Sequence, residues 1–497
     1  MKGIRSPHVR VAILWHQHQP CYTLPAGDPN GVAQLPWVRL HATRDYHGMV
    51  AIAAEHDVKV SINLVPALVQ QLVAFANGAR DIFEADACSG ASAGLPNAES
   101  LRVAFEAHEE HQIGLRPAYA RLAKRYRAGE QLDHQDLRDA LVWQQLSWFP
   151  PEEKWRVEAQ LASHGSFSVA DAEAVFHQAR EIARRTLPIH QELEASGRLE
   201  VTTTPYFHPI LPLLIDSDRP GESRPLPPRY AYPEDAVAQV RMAVQAHTEW
   251  LGRKPRGMWP SEGAVSQDAA RIIAAEGLRW IATDQGILER AGIRPDARAL
   301  SKPWRVAGTE LSIFFRDREL SDRIGFVYAN WKDAEAAADD FVGRIADKYR
   351  DVGGVVPIVL DGENAWGFYK DDGRPFLHAL YRRLARDPEV GTCTFSEAIE
   401  MSGDLPELEL PTGSWIDDPG SEPGVDLGTW IGKPRKNALW ETLGKVRAHG
   451  LPDDPAARMA LYAAEGSDWF WWGHRDDSPG VENAFRDLFQ RHLGHIR

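Results

Sequence analysis

Val355-Val356-Pro357-Ile358-Val359-Leu360-Asp361-Gly362-Glu363-Asn364-Ala365-Trp366 decides how this chain folds. An apolar run of this length, closed by an acid and a glycine, reads as a strand buried on both faces. Runs of the same kind recur at 11–15, 58–64, 199–203, 257–259, 278–283 and 311–315. Helical patterns lie between them, as at 232–252 and 333–349. Strand and helix in alternation predict an α/β fold, and about seven strands over this length predict a barrel. A doubly wound open sheet is the alternative. The barrel is favoured because polar residues follow most strands: His16, His18, Asn63, Thr204, Glu262, Asp284, Arg316 and Asp361. In a barrel these ends converge on one face.

Outward from that core, residues 76–190 form a long helical insertion between the second and third strands. The stretches 85–100 and 216–228 read as exposed loops that border a cleft. Residues 1–400 are thus expected to form the barrel with its insertion. A Pro- and Gly-rich stretch at 404–424 precedes three helical patterns at 434–450, 455–472 and 481–493. Residues 401–497 are expected to be a helical region that contributes to the cleft. No internal repeat is visible.

Composition narrows the partners. Of 497 residues, 43% are hydrophobic and 25% charged, as in soluble globular proteins. A net charge of −14 argues against nucleic acid or an anionic membrane as the main partner, since both need a basic footprint. No apolar stretch reaches the length of a membrane span, and the start of the chain has no secretory signal pattern. The three cysteines, Cys21, Cys88 and Cys393, form no disulfide framework and suit a reducing compartment. A cytoplasmic location is expected; the oligomeric state is not specified. The 17 Trp are an excess. Flat rings suit the apolar faces of sugars, although most Trp in any chain are core.

Two acids carry the chemistry. Glu262 lies in Gly257-Met258-Trp259-Pro260-Ser261-Glu262, and Asp361 closes the run quoted above. Each ends a strand beside a Trp. Paired acids at strand ends are the apparatus for cleaving a glycosidic bond; singly, each would serve as a helix cap or an ion pair. His16-Gln17-His18 follows the first strand, and His208 lies in the loop after the third. Such imidazoles bind sugar hydroxyls, ligate a metal, or satisfy local backbone. Glu363 and Asp284 are possible helpers, with ion pairs or turns the plainer use. Arg316 would either fix a carboxylate or join a surface charge network. Glu200 begins its strand and so belongs to the opposite, structural end.

Taken in order, His16-Gln17-His18-Gln19-Pro20, Glu200 with 208–214, Trp259-Pro260-Ser261-Glu262 and Asp361-Gly362-Glu363 resemble the motifs of glycoside hydrolase family 57. The resemblance runs from residue 11 to about 475. Segments 413–416, 426–432 and 464–472 are most similar to its α-amylase and amylopullulanase branch. The resemblance implies a (β/α)7 barrel with a helical C-terminal region. It implies Glu262 as nucleophile and Asp361 as general acid/base. It also implies substrate contacts from His16, His18, His208 and Trp415; Trp259, Trp366 and Asp468 are further candidates for substrate binding. Ser261 before the nucleophile and Leu360 before Asp361 depart from some members' patterns.

The expected activity is retaining hydrolysis of α-glucan or maltooligosaccharide, with no cofactor and no metal. A retaining pair sits about 5–5.5 Å apart, an inverting pair roughly 6.5–9.5 Å. His18 and His208 are expected on the same rim without a shared metal site. Alternatives are 4-α-glucanotransferase or branching activity in the same family, a metal-dependent carbohydrate deacetylase using His16, His18 and an Asp as ligands, and a glucan-binding protein with an inactive barrel.

Overall fold

A computed structural model of the chain describes residues 8–89, 95–154, 157, 166–218, 225–416, 426–472 and 479–496. Parts of the loops and linker expected above, 90–94, 219–224 and 417–424, lie outside the described residues.

Seven parallel strands carry the fold: β1 (Val9–Gln17), β2 (Val60–Leu64), β3 (Leu199–Thr203), β4 (Gly257–Met258), β5 (Trp280–Asp284), β6 (Ser312–Arg316) and β7 (Gly354–Asp361). They stand side by side in chain order, and β7 returns to pair with β1. This is a (β/α)7 barrel, as the alternation of runs predicts. At the seam between β6 and β7, the Asp317 amide donates to the Pro357 carbonyl at 2.9 Å. A residue's N–H and C=O point to the same side of a strand. Pro357, which has no N–H to offer, therefore turns its missing donor to the seam rather than to the β1 ladder.

Alternation along the strands divides two cores. The odd residues of β1, Val11, Ile13 and Trp15, pack outward among apolar side chains such as Phe341 and Ile345 of helix Ala334–Tyr349 and Leu377 and Leu380 of helix Arg374–Arg386. The even residues Ala12 and Leu14 fill the barrel with Trp280, Ala282, Phe314 and Val359. Trp280 fits because its neighbour is Gly257, where an added Cβ would lie 2.0 Å from the indole. At the barrel floor Glu200 accepts from Trp280 Nε1 (2.9 Å) and the Ser396 amide (3.0 Å), a structural use.

The register sets what sits at the top. His16 pairs with Asp361 on one side and Asn63 on the other.

The C-terminal helices differ from expectation at one point. The pattern at 455–472 is two helices, Pro455–Ala464 and Asp468–Trp472, not one. Between them Gly466 forms an antiparallel bridge with Pro209, so close that a Cβ there would lie 2.8 Å from the Phe207 carbonyl. Backbone contact with the barrel outcompetes helix continuation, and the break leaves Asp468 at a helix start.

Candidate active site

Glu262 lies just past β4, in the short turn Ser261–Gly263, with φ 56° and ψ 27°. His208, after β3, has φ 60°. Left-handed backbone at a non-glycine residue costs of order 1–3 kcal/mol and persists only where surroundings enforce it. For Glu262 the enforcement is visible. The Trp415 amide donates to its carbonyl (3.1 Å), and Trp415 Nε1 donates to Oε2 of its carboxylate (2.8 Å). A bridge between Val265 and Gly413 holds the two segments together. For His208, the Ser467 amide donates to its carbonyl (3.0 Å), and its Nδ1 meets Ser467 Oγ at 2.8 Å. Two C-terminal segments thus set the conformation of two barrel loops.

Both acids line one cavity of about 570 Å3, with His16, His18, Trp415 and Asp468. Its volume is that of a small-molecule site. His208 stands behind the wall, stacked on His18 with centroids 3.9 Å apart and Nδ1 3.8 Å from Glu262 Oε1. His16 stacks 5.2 Å from His208.

The tautomers follow from the hydrogen bonds. Asn63 donates its Nδ2 to the Thr203 carbonyl (2.6 Å), so its Oδ1 is the acceptor facing His16 Nδ1 at 2.6 Å. His16 therefore carries its proton on Nδ1 and turns a lone pair on Nε2. Burial, then His18, lowers its pKa to about 3. Burial, then His18 and His16, holds His208 well below the ordinary histidine range. His18 places Nε2 at 2.9 and 3.0 Å from the two Asp468 oxygens. The buried His18 Nδ1 and His208 Nε2 have no partner among the described residues. Open imidazole nitrogens bind hydroxyls or a metal equally well. Indeed His18, His208 and Asp468 offer ligand atoms within 4.8 Å of one another. Against the expectation that these histidines share no metal site, His18 and His208 form with Asp468 a cluster compact enough to hold an ion.

Electrostatics bind the two acids together. Burial, then Asp361 and Asp468, pushes Glu262 up to about 8, against the lowering effect of the Trp415 hydrogen bond. Burial also raises Asp361, against Asn364, which donates at 2.9 Å, and the His18 and Arg316 charges. An ionised Glu262 beside a protonated Asp361 is the expectation. Burial raises both acids, and the Asp361 charge adds to the rise at Glu262. Glu363 accepts from the His18 amide (3.3 Å) and Gln19 (3.1 Å), and burial raises it well above the carboxylate range. Asp284 is fully buried between Arg316 (2.8 Å) and Arg318, an ion pair below the site.

Two expected sugar contacts are corrected. Trp259 and Trp366 are buried at 0% and 1% exposure. Trp259 packs edge-on against Trp415, and Trp366 against Trp15 while donating to the Gly362 carbonyl. They support the wall and have no free face. The aromatic lining comes instead from Trp37, Phe326, Phe368, Trp471 and Trp472. Segment 464–472 and the Trp excess pointed toward Trp471 and Trp472; no spacing pointed to Trp37, Phe326 or Phe368.

Fold and cavity together define a (β/α)7 barrel with two buried acids facing an aromatic-lined cleft. The chain belongs to glycosyl hydrolase family 57, whose model matches residues 12–411. α-Amylase 1 of Dictyoglomus thermophilum is 19% identical over 313 residues, 59% of this chain and 41% of that protein. The chain thus spans about two-fifths of that relative's length. A branching enzyme from Thermococcus kodakaraensis is similar in structure, with TM-score 0.63, 16% identity and coverage of 99% of this chain and 89% of that one. An α-amylase from Thermotoga maritima gives 0.59, 15%, 98% and 92%. At such identities the likeness is one of fold. Among the described residues, no helix is long and apolar enough to cross a membrane.

Proposed function

We propose that the chain is a retaining glycoside hydrolase acting on α-glucans, of α-amylase or amylopullulanase type. The observation that carries this reading is the pair Glu262 and Asp361 at the ends of β4 and β7, facing one aromatic-lined cavity. Glu262 attacks the anomeric carbon, forming a C1–O bond as the glycosidic C1–O bond breaks. Asp361 gives its proton to the leaving oxygen. Asp361 then takes a proton from water, whose oxygen replaces Glu262 on C1. The reactive form of the pair has its proton on Asp361. The Trp415 N–H favours that form, because it stabilises charge on Glu262. His16, His18 and Asp468, which line the cavity, present acceptors and donors for the hydroxyls of the reacting sugar, and His208 stacks behind them on His18.

Transfer rather than hydrolysis is the second reading, as 4-α-glucanotransferase or branching enzyme. It is favoured by a further cavity of about 670 Å3 that abuts the first, and branching enzymes are among the similar structures. Incubation with maltoheptaose and with pullulan separates the two. New reducing ends mark hydrolysis; longer chains without new reducing ends mark transfer. An α-configured first product, followed by proton NMR, supports retention, and a β-configured one overturns it. The metal-dependent deacetylase reading rests on the cluster of His18, His208 and Asp468. Unchanged glucan cleavage after exhaustive chelation removes it.

A further inference from the structure

A third cavity, of about 580 Å3, lies on the flank of the barrel and shares no lining residue with the two at the mouth. It opens between two helices. Helix Pro66–Ala76 starts just past the end of β2, at the mouth, and runs toward the floor. Helix Pro233–Leu251 leads into the start of β4, so its last turn, with Trp250, lies toward the floor as well. Val73 and Ala74 of the first helix and Trp250 of the second border the recess, which therefore faces away from the catalytic acids.

The lining suits a neutral polyhydroxyl ligand. Trp250 is half-buried: it packs on both apolar cores, which fixes the ring, and its uncovered part borders the cavity. Gln70 is fixed too, since its Nε2 donates to the Gly27 carbonyl at 3.2 Å, which leaves its Oε1 as an acceptor. Exposed Asn30 and Asn77 add two more amides at the rim. An amide offers a donor and an acceptor together, which matches adjacent hydroxyls of a sugar. Among the described residues no carboxylate lines the cavity, and its one cation, Arg80, faces Glu84 at 3.5 Å. An anion thus finds no uncompensated charge there, while an indole and three amides fit the apolar face and hydroxyl edge of a pyranose. The volume is that of a small-ligand site.

We infer that this flank cavity is a second, non-catalytic binding site for α-glucan, which holds a long substrate outside the catalytic cleft. The choice of α-glucan rests on the proposed function; the preference for a neutral sugar rests on the lining alone. Two grips on one polymer make the second contact intramolecular and raise the apparent affinity without any new contact in the cleft.

The test compares a long ligand with a short one. Amylose reaches both sites, whereas α-maltosyl fluoride, two sugars long, occupies the cleft alone. Trp250→Ala is expected to weaken retention of the protein in native gels containing amylose by at least about tenfold in apparent Kd, the scale of one lost anchoring ring. Its kcat/KM for fluoride release should stay unchanged. Because Trp250 also packs on the cores, the double variant Asn30→Ala with Asn77→Ala is read in the same gels. Both residues are exposed, so their truncation leaves the fold intact, and retention should weaken in the same direction. No retention of the unaltered protein, unchanged retention of the double variant, or equal losses on amylose and on the fluoride would overturn the inference while the proposed function stands. Retention that falls in these variants of a protein that cleaves no α-glucan would keep the flank site and overturn the catalytic reading instead.

Discussion

At Glu262 and His208 the chain accepts left-handed backbone that other side chains avoid. Both residues are held there from the C-terminal region, through Trp415 and Ser467. Trp415 has the larger chemical consequence, since it donates to the carboxylate whose pKa burial pushes up to about 8. Loss of that donor disfavours the ionised form. Trp415→Phe is therefore expected to raise the acidic limb of the kcat/KM profile by about one pH unit, the worth of a hydrogen bond to a charged group. A limb that stays put while only KM rises would make Trp415 a sugar platform alone. The two acids separate by substrate. Glu262→Gln should abolish turnover of maltoheptaose and of maltosyl fluoride while the protein still folds and binds glucan. Asp361→Asn should lose far more on maltoheptaose, whose oxygen needs a proton, than on the fluoride, which does not. Steady-state rates on the two donors check both, and wild-type-like turnover by Glu262→Gln would end the nucleophile assignment.

Among the elements, helix Pro434–Arg447 docks on helix Pro233–Leu251 through buried charge. Arg447 clasps Asp235 at 2.7 and 3.1 Å, and neither is more than 5% exposed. Tyr230 donates to Glu465 at 2.7 Å, as does Gln239. Removing one partner of a buried pair strands the other in low dielectric, at a cost of about 3–5 kcal/mol. Arg447→Met should lower the unfolding midpoint accordingly. If the C-terminal elements position the site, that variant should also lose activity below the temperature at which the barrel melts. Circular dichroism and rate measurements on the same heating series test this. Coincident losses would mean that the docking has no separate effect on the site.

For the whole molecule, burial raises several carboxyls together: Glu262, Asp361, Glu363 and Glu465. The folded protein keeps these protons where the unfolded chain has released them. Above the ordinary carboxylate range the unfolded state thus binds fewer protons, and stability falls as pH rises toward the folded-state values. Glu465→Gln, far from the two acids in sequence and never charged, should flatten that fall. Denaturant midpoints between pH 5 and pH 8, compared for the two proteins, check the sign; a steeper fall in the variant would refute it.

Seven strands, their order and the polar residue after each were legible because a buried parallel strand writes itself as a continuous apolar run, a local property. Glu262, Asp361, His16 and His18 were legible for the same reason, as strand-end residues. The insertion of Gly466 against Pro209 was not, since helix periodicity continues through it and only a backbone distant in the chain interrupts it. Nor did a Trp beside a strand end reveal whether its ring was wall or support. Trp259 and Trp366 turned inward and Trp471 outward because packing in three dimensions assigns the free faces. The amino-acid sequence by itself determined the barrel and its catalytic-type acids, through patterns only a few residues long. The tertiary structure alone decided the shape of the cleft, the backbone held at Glu262 and His208, and the burial that raises the acids, because each depends on groups brought together from distant parts of the chain.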